Sequence, residues 1–370
     1  MENNNFGLIK VESSIVSAGN QLLKLQSSCL ANYYSELRIW WNGLNDEWKS
    51  DLIYYFIDDE DVPHELKAQG KIFNRNRNNP QNSDWEVIID ETGRIIREPF
   101  DFELEKIALI RHLTISEWHE DLRPVCKLLN LESIGGNLNR GLRSLIGIET
   151  LTHLKAIELP YSRIRDLEPL RDLIEIESLN FHDSDIENLD PLSNLHGLLN
   201  LKIGKATHLT DLTALSDLYE LVDLDCSSNS DIDRRIDFSP IGRLVKLEKL
   251  NCQGNFIETL DFLQDLKMLE SLNLEESYFS DNSLAPLSNL RKLKTLRLSN
   301  TNVKNLIPLL GLPSLKYLWV DKTKIPDYKV KEFSIANPIC TVIIKDDTFN
   351  DGTCVFYKDA KLRHERLHLE

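Results

Sequence analysis

Leucine and other apolar residues return at fixed steps along most of the chain. With Ile107, Leu128, Leu151, Leu173, Leu195, Leu218, Leu244, Leu266, Leu290 and Leu312 as phase markers, the intervals are 21, 23, 22, 22, 23, 26, 22, 24 and 22 residues. The positions three before, three after and six after each marker are apolar in all ten units. The position eight after is apolar in every unit but one, where Gly136 stands. In a chain that is 41% hydrophobic, columns this uniform report a structural repeat of about 22 residues. The faint phrase DLRPV, 121–125, is in phase with the clear DLEPL, 166–170, so the array is expected to reach back to Leu104.

Each column has a physical reading. The apolar positions six and eight after the marker flank one polar residue, as in Leu179-Asn180-Phe181. That alternation predicts a short strand with one buried face, and stacked repeats would pair these strands into a parallel sheet. Eleven after the marker, eight of ten residues are Asn, Ser or Thr, which can bond backbone groups where the chain leaves the strand. Six repeats place a proline just before the apolar residue at minus three: Pro124, Pro169, Pro191, Pro240, Pro286 and Pro308. Proline presets φ there and predicts a short helical turn on the side opposite the sheet.

With phrases such as IENLDPLSNL and VKNLIPLLGL, residues 104–340 resemble the leucine-rich repeat superfamily, in the short-repeat class of bacterial internalins and SDS22-like phosphatase regulators. The resemblance implies an α/β solenoid, a horseshoe of about ten repeats with a short-strand parallel sheet on its concave face. It also implies a protein that binds other proteins. It carries no particular target, because targets depend on the residues of the concave face and not on the fold.

Both ends of an array need caps. Residues 330–344 predict a short helix, a turn at Asn337-Pro338 and a closing strand. A hairpin is expected in the tail beyond Lys345, with His364, Glu365 and His368 in a mobile end. Residues 1–103 differ in character. They predict helices at Glu12–Leu25 and Leu30–Trp41, then one capped by Asn45 that buries Trp48, Leu52, Tyr55 and Phe56. A polar loop, Asn74–Asp84, and a hairpin near 85–98 turning at Glu91-Thr92-Gly93 follow. The expected division is thus 1–103, 104–328 for the repeats and 329–370 for the cap and tail. The WW…EWK segment is similar to those preceding repeats in bacterial proteins of the Bacteroidetes type, a likeness that carries no activity.

Charge and chemistry then narrow the classes. The formal net charge is −16, which opposes nucleic acid and anionic membrane surfaces as partners. No apolar stretch approaches a membrane span, and the start MENNNFGLIKVESS lacks the pattern of a signal peptide. The six cysteines show no CxxC spacing, so a reduced, cytoplasmic setting is expected. No phosphate loop, HExxH or GxSxG motif occurs, and no cofactor, metal or enzymatic activity is expected. Cys226 and Cys252 fall in core columns. His182 with Asp183 and Asp185 reads as solvated surface, and Asp231 with Asp233 lacks the ligand count of a calcium site.

The expected site is the concave face, where strand alternation points Glu158, Asn180, Lys202, Asp225, Asn251, Asn273, Arg297 and Trp319 outward. Beside them stand His182, Gln253, Glu275, Asp321 and Tyr317. Arg297, Tyr317 and an exposed Trp319 have the composition of an interface hot spot, the alternative being that Trp319 packs on the C-terminal cap. The leading reading is a non-enzymatic protein-interaction module, and its acidic balance favours a partner with a basic or mixed surface. The alternative makes residues 1–100 a small effector or enzymatic module targeted by the array, with Cys29 and His64 as its faint candidates. The aromatic cluster Trp40, Trp41, Trp48, Tyr54, Tyr55 and Phe56 reads as the core of an N-terminal cap.

Overall fold

The computed structural model describes residues 31–58, 99, 101–230, 235–344, 353–358 and 361–366. The expected helix Glu12–Leu25, the loop Asn74–Asp84 and the hairpin near 85–98 lie outside these residues. So do Cys29, His64, Asp231, Asp233 and His368. The chain divides into two compact units, residues 1–111 with 127–130 and residues 112–126 with 131–370.

The first unit contains helices α1 (31–42), α2 (Asp46–Asp58) and α3 (Asp101–Ala108). The Asn45 side chain caps α2, its Oδ1 accepting the Trp48 backbone N–H at 2.9 Å, and Asp46 and Glu47 occupy the favourable first turn. Leu37, Trp41, Trp48, Leu52, Ile53, Leu104 and Ile107 are buried. The Lys49 ammonium lies 5.5 Å from the Trp41 ring, and Tyr34 donates to Glu105 at 2.8 Å. Trp41 and Trp48 are therefore interior residues of this unit. Leu104 and Ile107, assigned to the first repeat, sit on α3 instead: DFELEKIA has good helix formers, apolar residues three apart and no proline.

The second unit is built on a 13-stranded sheet. Ten strands carry the column six residues after the marker: β1 (His112–Thr114), β2 (Ser133–Gly135), β3 (Ala156–Glu158), β4 (Ser178–Asn180), β5 (Asn200–Lys202), β6 (Asp223–Asp225), β7 (Lys249–Asn251), β9 (Ser271–Asn273), β11 (Thr295–Arg297) and β12 (Tyr317–Trp319). Between them, β8 (Phe256–Ile257) and β10 (Tyr278–Phe279) form a separate two-stranded parallel sheet just past the turns. The ten strands pair in parallel with no slip, so Leu113, Ile134, Ile157, Leu179, Leu201, Leu224, Leu250, Leu272, Leu296 and Leu318 form one buried ladder. A one-residue slip would turn each of these side chains to solvent, and so burial on one face fixes the register.

All six repeat prolines fall within 3-10 turns on the opposite side of the repeats. The cap follows expectation: helix α4 (Asp327–Ala336), a turn at 338–339 and strand β13 (Thr341–Ile344), which pairs in parallel with β12. The tail corrects one expectation. Residues Lys361–Arg366 are not a mobile end but a strand, β15, antiparallel to β14 (Thr353–Lys358), which itself pairs with β13. A terminal strand has an open β13 edge to cover, and covering it removes a row of unpaired backbone groups.

The polar column eleven after the marker solves the hydrogen-bond problem of the buried turns. Ser184, Thr301 and Thr323 donate to the carbonyls three residues back. Further links run from repeat to repeat. The Ala206 N–H is accepted by Asn229 Oδ1, the Asn229 N–H by Asn255 Oδ1, and the Asn255 N–H by Ser277 Oγ. Asn255 also donates to the carbonyls of Cys226 (3.0 Å) and Cys252 (2.9 Å) and accepts from Ser230 N–H. The buried Ser162 hydroxyl, in the same column, has no partner. Gly136 breaks the column before it because a Cβ there would run into Asn139 Oδ1 and lie 2.9 Å from the Ile115 carbonyl.

Asn255 and Ser162 therefore separate the worth of these bonds from that of the column. Asn255→Ala strands several buried donors and acceptors and is expected to cost about 3 kcal/mol or more. Ser162→Ala removes a hydroxyl that bonds nothing and should be neutral or stabilising by up to about 1 kcal/mol. Urea denaturation followed by circular dichroism checks both; equal losses for the two variants would reject this account.

Candidate protein-binding face

On each of the ten repeat strands the central residue is buried and its neighbours point to the other face. The expected candidates form a continuous row there. Register pairs Glu158 with Asn180, Asn180 with Lys202, Lys202 with Asp225, Asp225 with Asn251, Asn251 with Asn273, Asn273 with Arg297, and Arg297 with Trp319. Glu158 and Lys202 are exposed, and Asn180, Asp225, Asn251, Asn273 and Arg297 are half-buried. Asp223 and Lys249 join them from the strand starts, 3.9 Å apart.

Four members of the row have a second task that sequence reasoning missed. Asn180, Asp225, Asn251 and Asn273 each accept, through Oδ1, the backbone N–H two residues later, from His182 (3.1 Å), Ser227 (2.9 Å), Gln253 (3.1 Å) and Glu275 (3.0 Å). This is the Asx turn, and it ends the strand in the same way each time. Its signal was the recurrence of Asn or Asp in one column. The same side chains are tied sideways: Asn180 Nδ2 donates to Glu158 Oε2 at 2.8 Å, and Asn273 Nδ2 to Gln253 Oε1 at 3.2 Å. The row is thereby held in place before any partner arrives, which lowers the ordering cost of binding.

Just beyond, the backbone turns through the left-handed region in eight successive repeats. Tyr161, Asp183, Lys205, Ser228, Gly254, Glu276, Asn300 and Lys322 all have φ between 53° and 69°. Only one of the eight is glycine. The cost of roughly 1 kcal/mol or more for each of the others is borne by the bonds of the turn. Tyr161 leaves this turn to set its ring edge-on to His182, 6.2 Å between centroids.

The C-terminal end of the row differs from expectation. Trp319 is not exposed: it is 9% accessible and packs against Ile343 of the cap strand β13, with Tyr317 at its edge, 6.1 Å between centroids. The register of β12 with β13 brings Ile343 directly opposite Trp319, and a large ring beside an apolar neighbour is driven out of water. The Arg297 guanidinium covers the ring at 4.4 Å. Asp321 is also buried, at 6%, where it accepts from the Ser299 hydroxyl. Arg297 and Tyr317 remain partly exposed; Trp319 and Asp321 serve the end of the array.

No protein-family model matches the chain, and no curated relative does. Solved structures do. InlJ of Listeria monocytogenes aligns at a TM-score of 0.50 with 22% identity, over 62% of this chain and 48% of that one. The likeness is one of fold: a solenoid of leucine-rich repeats whose short strands pair in parallel. Internalin C2 of the same organism aligns at 0.47 with 25% identity over 52% of this chain and 81% of its own, and the Leptospira interrogans protein LIC12759 at 0.46 with 18% identity over 65% and 74%.

Other chemistry in the repeat protein is quiet. Cys226 and Cys252 stand on adjacent strands' ends with their sulfurs 3.5 Å apart, both fully buried. Burial, and secondarily the Cys226 neighbour, pushes the Cys252 thiol well above its ordinary value. Burial alone pushes Cys340 up to about 12. Such thiols are protonated and inert at neutral pH. Among the described residues, no three His, Cys, Asp or Glu side chains are grouped to hold a metal, and no helix is long and apolar enough to cross a membrane.

Two measurements bear on these assignments. Trp319→Ala should lose about 3–5 kcal/mol of stability through a cavity beside Ile343, while Lys202→Ala on the same face changes it by less than about 0.5 kcal/mol; similar values for both would place Trp319 in solvent. In the folded protein at about pH 8, iodoacetamide should leave Cys226, Cys252 and Cys340 unmodified, whereas denaturant exposes all three. Peptide mapping by mass spectrometry reads the outcome, and modification of Cys252 in the native state would contradict its burial.

Proposed function

We propose that this chain is a non-enzymatic protein-interaction module that binds its partner across the polar, concave face of the long sheet. The observation that carries the reading is the unbroken row from Glu158 to Arg297, in which Asn180, Asp225, Asn251 and Asn273 are ordered by Asx turns and two of them by lateral hydrogen bonds. A rigid polar strip flanked by a partly exposed Arg297 and Tyr317 loses little entropy on contact and offers both charge and aromatic surface.

The charges of this face refine the partner. Glu158, Asp223, Asp225 and Glu275 are set among Lys202, Lys249 and Arg297, so the face is nearly balanced although the whole chain carries −16. A partner presenting mixed charges fits it better than a uniformly basic one. Nucleic acid and anionic lipid fit poorly. Among the described residues, the free thiols of Cys126, Cys226, Cys252 and Cys340 suit a cytoplasmic setting.

A photo-crosslinking amino acid installed singly at Lys202 or Gln253, on this face, and at Ile174 or Val245, exposed away from it, tests the reading in cells of the native host. The expected result is one protein crosslinked in stoichiometric amount from the first two positions and from neither of the others. Crosslinks to the same protein from Ile174 and Val245 alone would move the interface off the sheet and overturn the proposal.

A further inference from the structure

The repeat between Leu218 and Leu244 is 26 residues long, against 22 for the next one. A cleft of about 390 Å³ opens between residues 235–239 of this repeat and 256–262 of the next. That volume lies within the range of sites that hold a ligand group.

The floor is aromatic. Phe238 and Phe262 stack with centroids 6.0 Å apart, and Phe256 stacks on Tyr278 at 5.4 Å. All three phenylalanines are below a tenth exposed, so the rings are fixed by packing. Among the described residues, the rim carries three exposed carboxylates, Asp237, Glu258 and Asp261, and one cation, Arg235. None of these carboxylates is in an ion pair among the described residues. The Arg235 guanidinium itself lies 4.8 Å from the Phe256 ring centroid, so the chain already supplies an example of what this floor accepts.

We infer that the cleft is a second binding site, one that receives an arginine side chain from an extended segment of a partner protein. Aromatic faces attract a cation, and a desolvated contact of this kind is stronger than an exposed one. Both oxygens of Asp237 accept from Ser239, so Glu258 and Asp261 are the carboxylates that supply the opposite charge, and a planar, weakly hydrated guanidinium stacks on rings better than an ammonium does. Among the described residues the rim sets three negative groups against one positive, which disfavours anionic ligands, and the chain's −16 draws basic segments toward it. None of the lining residues belongs to the strand row, so this site stands or falls separately from the face proposed above.

Two isoleucines, Ile236 and Ile257, line the cleft and serve as reporters. The experiment is methyl NMR of the full chain with labelled isoleucines, titrated with acetyl-Gly-Gly-Arg-Gly-Gly-amide and with the same peptide carrying citrulline, which keeps the shape and loses the charge. The arginine peptide is expected to shift both methyl signals in a saturable manner, and the citrulline peptide to bind at least about tenfold more weakly. The exposed-site variant Glu258→Gln/Asp261→Asn, which disturbs no packed residue, should weaken the arginine peptide by about tenfold. The proposal is overturned if the two methyls do not move up to about 10 mM peptide, if citrulline binds as well as arginine, or if the double variant binds unchanged.

Discussion

A stacked array of short strands buries the backbone as well as the side chains of its turns. Every N–H and C=O there has lost water and must find another partner. In this chain the partner is often a side chain of the adjacent repeat. Asn229, Asn255 and Ser277 each take the turn N–H of the repeat before them. The polar column is therefore structural, and it does two things. It satisfies groups that leucine contacts cannot satisfy, and it locks each repeat at one height against its neighbour. The leucine ladder supplies most of the favourable free energy and sets the register, and the asparagine and serine links satisfy the turn groups that it leaves.

That division of labour explains what could be read from the sequence. The period, the strand positions, the proline turns, the closing strand of the cap and the ten-strand sheet all leave apolar or proline columns, because each depends on residue type directly. The left-handed turn leaves none. Tyr161, Lys205 and Glu276 occupy it as readily as Gly254, since its cost is small beside the bonds that the turn completes. The Asx turns were half legible: Asn180, Asn251 and Asn273 stood out as polar residues facing outward, but their bonds to the backbone two residues on depend on geometry that no count of residues reveals. Trp319 failed for a different reason. Its column points outward along the array, and only the placement of Ile343 by the cap strand turns an outward ring into a buried one. Near an end, a column inherits the chemistry of whatever closes the array.

The same reasoning separates fold from function. Residues that repeat are those the stack requires, and they say nothing of a target. On the proposed reading, information about a partner is carried by positions that vary from repeat to repeat on the sheet's polar face, here Glu158, Lys202, Asp225, Lys249 and Arg297 among otherwise small or amide side chains. Because amides tied into Asx turns surround them, these charges project from a surface that changes shape little. Recognition then rests on matching a fixed pattern of charge, which favours specificity and rate of encounter more than raw affinity.

Irregularity carries information of another kind. A solenoid of identical repeats has no clefts, because each repeat fills the space left by the one before. Beside the 26-residue repeat a cleft is present, lined by Phe238, Phe256 and Phe262 together with Ile236 and Ile257. Packing alone would favour closing such a gap, since an unfilled apolar surface forgoes both contacts and burial. Rings held rigid by their own stacking cannot close it, and the carboxylates above them gain nothing from approaching one another. The cleft persists because its walls are stiff and its rim repels itself, and both features are relieved by one kind of occupant, a flat cation.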